Sequence, residues 1–139
     1  MRKKLAVFGL SLSVAVASVV PAFASNDNIY YSFTMPSKRK AVYAGGKGRY
    51  RQTKRTTNPW KVKMMYSAEG TGTKAFYWIA NASSKSKVTA GMTVTQGSHE
   101  RRQEPYAAAN QNWVRLAVKN NNNTAKTYYV SGVWDEEID

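Results

Sequence analysis

In WKVKMMYS, residues 60–67, apolar and polar side chains alternate: Trp60, Val62, Met64 and Tyr66 fall on one side, Lys61, Lys63, Met65 and Ser67 on the other. A period of two is the geometry of an extended chain, whose successive Cβ atoms point to opposite faces. The stretch therefore predicts a half-buried antiparallel strand with a basic outer face. IYYSFTM, residues 29–35, repeats the pattern with Ile29, Tyr31, Phe33 and Met35 on one side, and KVTAGMTVT, residues 87–95, with Val88, Ala90, Met92 and Val94. KAFYWIAN, residues 74–81, is apolar on both faces, which places it at the centre of a sheet. NWVRLAVK (112–119) and KTYYVSGVW (126–134) are two more strands. The NNNNTA between them, rich in asparagines that tolerate positive φ, predicts a hairpin.

Glycine and proline punctuate the rest, at AGGKGR (44–49), TTNPW (56–60), AEGTGTK (68–74) and QEPY (103–106). No window beyond residue 25 carries an apolar stripe of helical period, and YAAANQNW (106–113) holds one helical turn at most. About seven or eight short strands with turn signals between them predict an all-β fold, a single-domain antiparallel sandwich or small barrel over residues 25–134.

The first 24 residues read as a secretory leader rather than as part of that fold. MRKK is a basic start, Leu5 to Val20 is an apolar run, and Ala22-Phe23-Ala24 supplies the small-x-small pattern for cleavage before Ser25. Sixteen residues of helix reach only about 24 Å, short of the roughly 30 Å hydrocarbon core. The expectation is a secreted, extracellular protein without a transmembrane anchor. With no cysteine in the chain, disulfides do not staple it.

Charge is distributed unevenly. Without Arg2, Lys3 and Lys4 the chain has 18 basic residues against 8 acidic, a net charge of about +10. Four of the acids, Asp135, Glu136, Glu137 and Asp139, form a tail over residues 135–139. That tail is expected either to fold back on the basic face or to fray. Between Asp27 and Glu69 no acid interrupts ten bases: Lys38, Arg39, Lys40, Lys47, Arg49, Arg51, Lys54, Arg55, Lys61 and Lys63. Such a segment repels itself and attracts polyanions, so these ten are the candidate anion-binding residues. In GKGRYRQ, Lys47, Arg49 and Arg51 recur every second residue, which on a strand sets three cations on one face about 7 Å apart. Tyr43 and Tyr50 lie in the same segment outside the clean alternations and are candidate aromatic contacts.

Catalytic chemistry has one foothold. SHERRQE, residues 98–104, holds the single histidine, His99, beside Glu100, Arg101, Arg102 and Glu104. These are the residue types of a metal-independent ribonuclease: base, acid and cations for developing phosphate charge. Against that reading, an extended chain turns His99 and Glu100 to opposite faces, and a local loop with internal ion pairs accounts for the same residues. One histidine and no cysteine do not build a zinc site, the acidic tail lacks a calcium-loop pattern, and neither a GxSxG nor a phosphate-binding P-loop is present. No metal and no cofactor are expected. GGKGR places backbone N–H groups beside cations, a weak anion cradle.

The aromatic opening strand IYYSFTM, the closing YYVSGVW with its acidic tail, and the leader together resemble small secreted proteins of Bacillus and its relatives. Some of these are discussed as bacteriocins or as factors that provoke host responses. The resemblance implies an extracellular, non-enzymatic role and assigns no functional residue. The sequence reading is thus a secreted cationic protein that binds anionic cell-wall polymers or anionic membrane surfaces, with antimicrobial action or perception by a host as outcomes. Nucleic acid would bind through charge alone, without sequence specificity. The alternatives are a small secreted ribonuclease using His99 with Glu100 or Glu104, and a structural protein of the cell surface or matrix.

Overall fold

The computed structural model describes residues 26–122 and 125–138. The leader read over residues 1–24, its cleavage point and Asp139 lie outside the described residues. Among those described, the strands are β1 (Ile29–Met35), β2 (Ala41–Tyr43), β3 (Arg49–Arg51), β4 (Trp60–Ser67), β5 (Lys74–Asn81), β6 (Met92–Thr95), β7 (Arg101–Gln103), β8 (Asn112–Asn120) and β9 (Tyr128–Asp135). A single 3-10 turn, Ala107–Ala109, precedes β8. The strands form two antiparallel sheets, one ordered β1-β9-β4-β7 and the other β2-β8-β5-β6, with β3 also paired to β8. This is the all-β sandwich that the alternation predicts. No helix among the described residues is long and apolar enough to cross a membrane.

Alternate residues of both sheets meet in one core. Tyr31, Phe33 and Met35 come from β1, Trp60, Val62 and Met64 from β4, Tyr77 and Ile79 from β5, and Val114, Leu116 and Val118 from β8. Burying side chains of this size stabilises the fold by roughly 1.5–3 kcal/mol each. Two tyrosines tie the layers together: the Tyr31 hydroxyl hydrogen-bonds that of Tyr77 at 2.9 Å. Burial pushes both phenol pKa values far up, so the pair stays neutral.

Three departures from simple alternation shape the molecule. First, β4 carries a bulge between Met64 and Tyr66. The extra residue turns Tyr66 outward beside Met65 and sends Ser67 inward, so Tyr66 does not join the inner face. Second, β8 and β9 do not form a hairpin. β8 pairs with β5, β2 and β3, whereas β9 lies between β1 and β4, so the asparagine-rich connection carries the chain from one sheet to the other. Local turn chemistry is equally suited to either course; the hydrophobic faces that must be covered decide between them. Third, the alternation at residues 87–95 yields a strand only from Met92. Gly91, at φ +94°, breaks the extended path, and a Cβ there would lie 2.5 Å from Cζ of Phe76.

Candidate anion-binding face

The ten bases of residues 38–63 do not make one surface. Register explains why. Arg49 and Arg51 lie opposite Val114 and Asn112, on the inward side of β8, while Tyr50 lies opposite Trp113 on the outward side. Arg51 has no exposed surface. Its guanidinium donates to Asn110 Oδ1 at 3.1 Å, to the Arg55 carbonyl at 3.2 Å and to the carbonyls of Asn58 and Glu136. Desolvation lowers its pKa, opposed by the nearby Glu137, Glu136 and Asp135. Arg49 is paired with Glu136 at 3.0 Å and with Asp27 at 3.3 Å. Lys47 lies outside β3, beyond Gly48 at φ +85°, so the two-residue spacing of a strand does not extend to it. The predicted stripe of Lys47, Arg49 and Arg51 is therefore absent, and changing all three together would test folding as much as binding.

Lys61 lies on the outer side of β4, as the alternation predicts, but is covered there. It is 2% exposed. Its Nζ donates to Asn28 Oδ1 at 3.0 Å and to Asn26 Oδ1, and lies 3.7 Å from Glu100. Lys63 is half-buried on the first sheet. Lys38, Arg39 and Lys40 project from the turn after β1, and Lys54 and Arg55 from the loop after β3. Two consecutive bases in that first turn, Lys38 and Arg39, adopt left-handed φ of 58° and 59°.

The acidic tail is the counterpart of the inward bases, and over residues 135–138 it is docked and buried. The Glu137 carboxylate accepts the N–H groups of Gln52 at 3.1 Å and Thr53 at 2.8 Å. Glu136 accepts Arg49, and the Ile138 N–H donates to the Pro59 carbonyl at 2.9 Å. Asp135 Oδ1 accepts the Glu137 N–H at 3.2 Å, and Oδ2 has no partner among the described residues. Burial pushes the Asp135 carboxyl up to about 7. The tail is a seam that closes the domain.

The outer face of the second sheet is where free cations and rings converge. From β5 it presents Phe76, Trp78 and Ala80, and from β8 Arg115, Ala117 and Lys119, with Phe76 opposite Lys119 and Trp78 opposite Ala117. Tyr43 sits opposite Ala117 from the other side. Small Ala80 and Ala117 leave room for Trp78 to lie down, with Phe76 at 5.9 Å and Tyr43 edge-on at 6.1 Å. The connection after β5 lays two lysines across these rings. Lys87 Nζ is 4.9 Å from the Trp78 centroid and 5.0 Å from that of Phe76, and Lys85 is 5.2 Å from that of Tyr43. Lys119 adds a third ammonium 5.0 Å from the Phe76 centroid. Further along, Tyr50 and Trp113 pair at 5.7 Å and are 41% and 46% exposed.

No strand of this sheet contains an acid. Among the described residues, none of Lys85, Lys87, Lys119 and Arg115 has a carboxylate partner. A ring holds an ammonium in place without cancelling its charge or using its N–H donors. Ordering a free lysine at a ligand costs conformational entropy, and here part of that cost is met before any ligand arrives. Such a surface suits anionic groups spaced along an extended chain. Its bases at 85, 87, 115 and 119 lie outside residues 38–63, and reading KAFYWIAN only as an apolar, central strand left out that its outer half is a floor for lysines. The interleaving of Lys74, Phe76 and Trp78 at a period of two, and of Trp113, Arg115 and Lys119, is the signal that identifies it.

The residues of SHERRQE take a different place, at the edge of the first sheet. His99 is exposed in the loop before β7, and Glu104 is exposed just after that strand. Glu100 accepts Arg102 Nε at 2.8 Å, and its other oxygen faces Lys61. Arg102 holds the Glu100 carboxyl below its ordinary pKa, which is the wrong direction for a general acid.

Residues 18–138 match the family described as "Protein of unknown function (DUF2712)", and the chain belongs to that family. No curated protein and no solved structure matches it.

Proposed function

We propose that this DUF2712 chain is a secreted, non-enzymatic protein that binds anionic polymers through the outer face of its second sheet. One observation carries the reading: an acid-free sheet whose lysines are held over aromatic rings and left without counter-charges. The two outward bases of β8, Arg115 and Lys119, stand about 13 Å apart with Ala117 between them, a spread that suits several phosphates of a flexible polymer. The leader supports delivery to the outside of the cell, where phosphate-bearing wall polymers are the matching ligands. A membrane surface offers the same phosphates, but Phe76 and Trp78 lie beneath Lys87 and Lys119 and form no bare apolar wedge, which favours the polymer.

The test is binding of the purified protein to polyglycerol phosphate across a salt series. In parallel it is offered anionic vesicles of phosphatidylglycerol with phosphatidylcholine, and RNA. Each lost phosphate contact on a flexible chain reduces the slope of log affinity against log salt by about 0.7. Changing Lys85, Lys87 and Lys119 together to Gln is therefore expected to lower the slope by about 2. An unchanged slope refutes the assignment of the face. Binding to vesicles but not to polymer moves the ligand to the membrane. RNA cleavage abolished by His99→Ala replaces the whole reading with the ribonuclease. Growth inhibition of bacteria bearing the bound polymer is the readout for an antimicrobial outcome.

A further inference from the structure

Between β2 and β3 the chain leaves its ladder with β8 for residues 44–48, opposite Leu116 and Arg115. The Ala44 N–H still reaches the Leu116 carbonyl at 2.8 Å. From there Arg115 takes over. Its two terminal nitrogens donate to the carbonyls of Ala44 at 3.0 Å and Gly46 at 3.2 Å. The peptides here are trans, and in a trans peptide the carbonyl and the following N–H point in opposite directions. Two carbonyls drawn inward to Arg115 therefore turn the N–H groups of Gly45 and Lys47 outward. Neither N–H donates to a protein acceptor among the described residues.

The space around the two glycines is open. A Cβ at Gly45 or Gly46 would meet nothing within 4 Å, and Gly46 at φ +75° gives the loop its left-handed step. Two recesses flank the loop. One, a cleft of about 500 Å³ at the edge of the sandwich, includes Tyr30, Tyr43 and Arg49 in its walls, and the other, of about 470 Å³, includes Ser83, Asn112 and Trp113. Both share Lys47 and Arg115. Outward N–H groups on either side of a left-handed glycine form an anion-binding concavity, and an exposed Lys47 beside them adds the charge.

We infer that loop 45–48, held from behind by Arg115, is a discrete site for one phosphate group of the bound polymer, fixing its register on the second sheet. The inference rests on the polymer-binding reading for the source of the phosphate, but the site itself is a property of the loop. Oxygens of a tetrahedral anion accept from the Gly45 and Lys47 N–H groups and from Lys47 Nζ. The chain on either side of that phosphate runs into the two recesses.

The test follows backbone amide resonances of the protein during titration with inorganic phosphate, with chloride at matched ionic strength as control. Gly45 and Lys47 are expected to shift and saturate with phosphate only. Lys47→Gln should weaken the site by up to about fivefold, the range for one exposed charge. Gly45→Val should abolish it while leaving the melting temperature unchanged, because a Cβ there meets nothing within 4 Å and the side chain takes up the anion's space. Shifts that do not saturate, or that persist in Gly45→Val, overturn the site. Adding polyglycerol phosphate should displace inorganic phosphate from the loop, and failure to compete overturns the link to the polymer. The triple change of Lys85, Lys87 and Lys119 separates the two ideas. If it leaves polymer binding and its salt slope intact while the loop shifts remain, the broad face fails and the phosphate site stands.

Discussion

Asp135 makes the stability of this domain depend on pH in a direction opposite to that of most carboxylates. It is the last residue of β9, 1% exposed, with Oδ2 unpartnered among the described residues. Burial raises its pKa from the ordinary 3.8 to about 7, and the Glu137 N–H and Lys61 only partly oppose the shift. The folded-state value lies above the unfolded one, so between about pH 4 and 7 the native protein keeps a proton that the unfolded chain has released. Its contribution to stability is complete below pH 4 and is lost as pH rises through 7. Going from 3.8 to about 7 at 1.36 kcal/mol per pH unit makes this loss about 4 kcal/mol. Asp135→Asn keeps the shape and the Oδ1 acceptor but has no proton to lose. Urea unfolding of both proteins at pH 4.5, 6, 7 and 8 is the assay, and the difference between them cancels the other carboxylates. The variant should match the parent within about 1 kcal/mol at pH 4.5 and exceed it by about 2–4 kcal/mol at pH 8. A difference that does not change with pH refutes the reasoning.

Two other substitutions probe the scaffold under the proposed sites. Arg51→Met removes a buried cation whose donors satisfy four oxygens, leaving the Asn58 and Glu136 carbonyls without it, and should cost about 3–5 kcal/mol in urea unfolding; a loss below 1 kcal/mol would show that the tail docks without it. Gly91→Ala places a Cβ 2.5 Å from Phe76 Cζ at a φ of +94°, so it should destabilise by about 2–3 kcal/mol and displace the ring. Because Lys87 and Lys119 both rest on that ring, their side-chain resonances should shift together, and unmoved resonances would separate the ring from the lysines.

What the sequence made legible was whatever depends on a period of two. Tyr31, Phe33 and Met35 are inside as their spacing requires, and β5 lies between β8 and β6 as a strand apolar on both faces should. The failures come where a single residue changes the phase or where pairing is long-range. The bulge at Met64/Tyr66 reverses the face of Tyr66, and Gly48 separates Lys47 from Arg49. The burial of Arg51 depends on Asn58, Asn110 and Glu136, partners spread across residues 58–136 that no local pattern connects. The candidate face itself escaped because its floor and its cations come from β2, β5, β8 and the connection after β5, which only the register brings together.

The placement of the acids is what turns a basic composition into a directional surface. Of the seven described acids, five are engaged: Asp27 and Glu136 on Arg49, Glu100 on Arg102 and Lys61, Asp135 on a backbone N–H of the tail and Glu137 on those of Gln52 and Thr53, while Glu69, in the turn after β4, and Glu104, just after β7, are exposed. These partners lie on the first sheet, in the tail, or on β3 and the loop after it, so none of the five is spent on Lys85, Lys87 or Lys119. A chain with the same composition but dispersed acids would pair its surface cations locally and present a weaker field. Here the tail that closes the fold also removes counter-charge from the second sheet, so docking of residues 135–138 and exposure of an unneutralised cationic face follow from one arrangement.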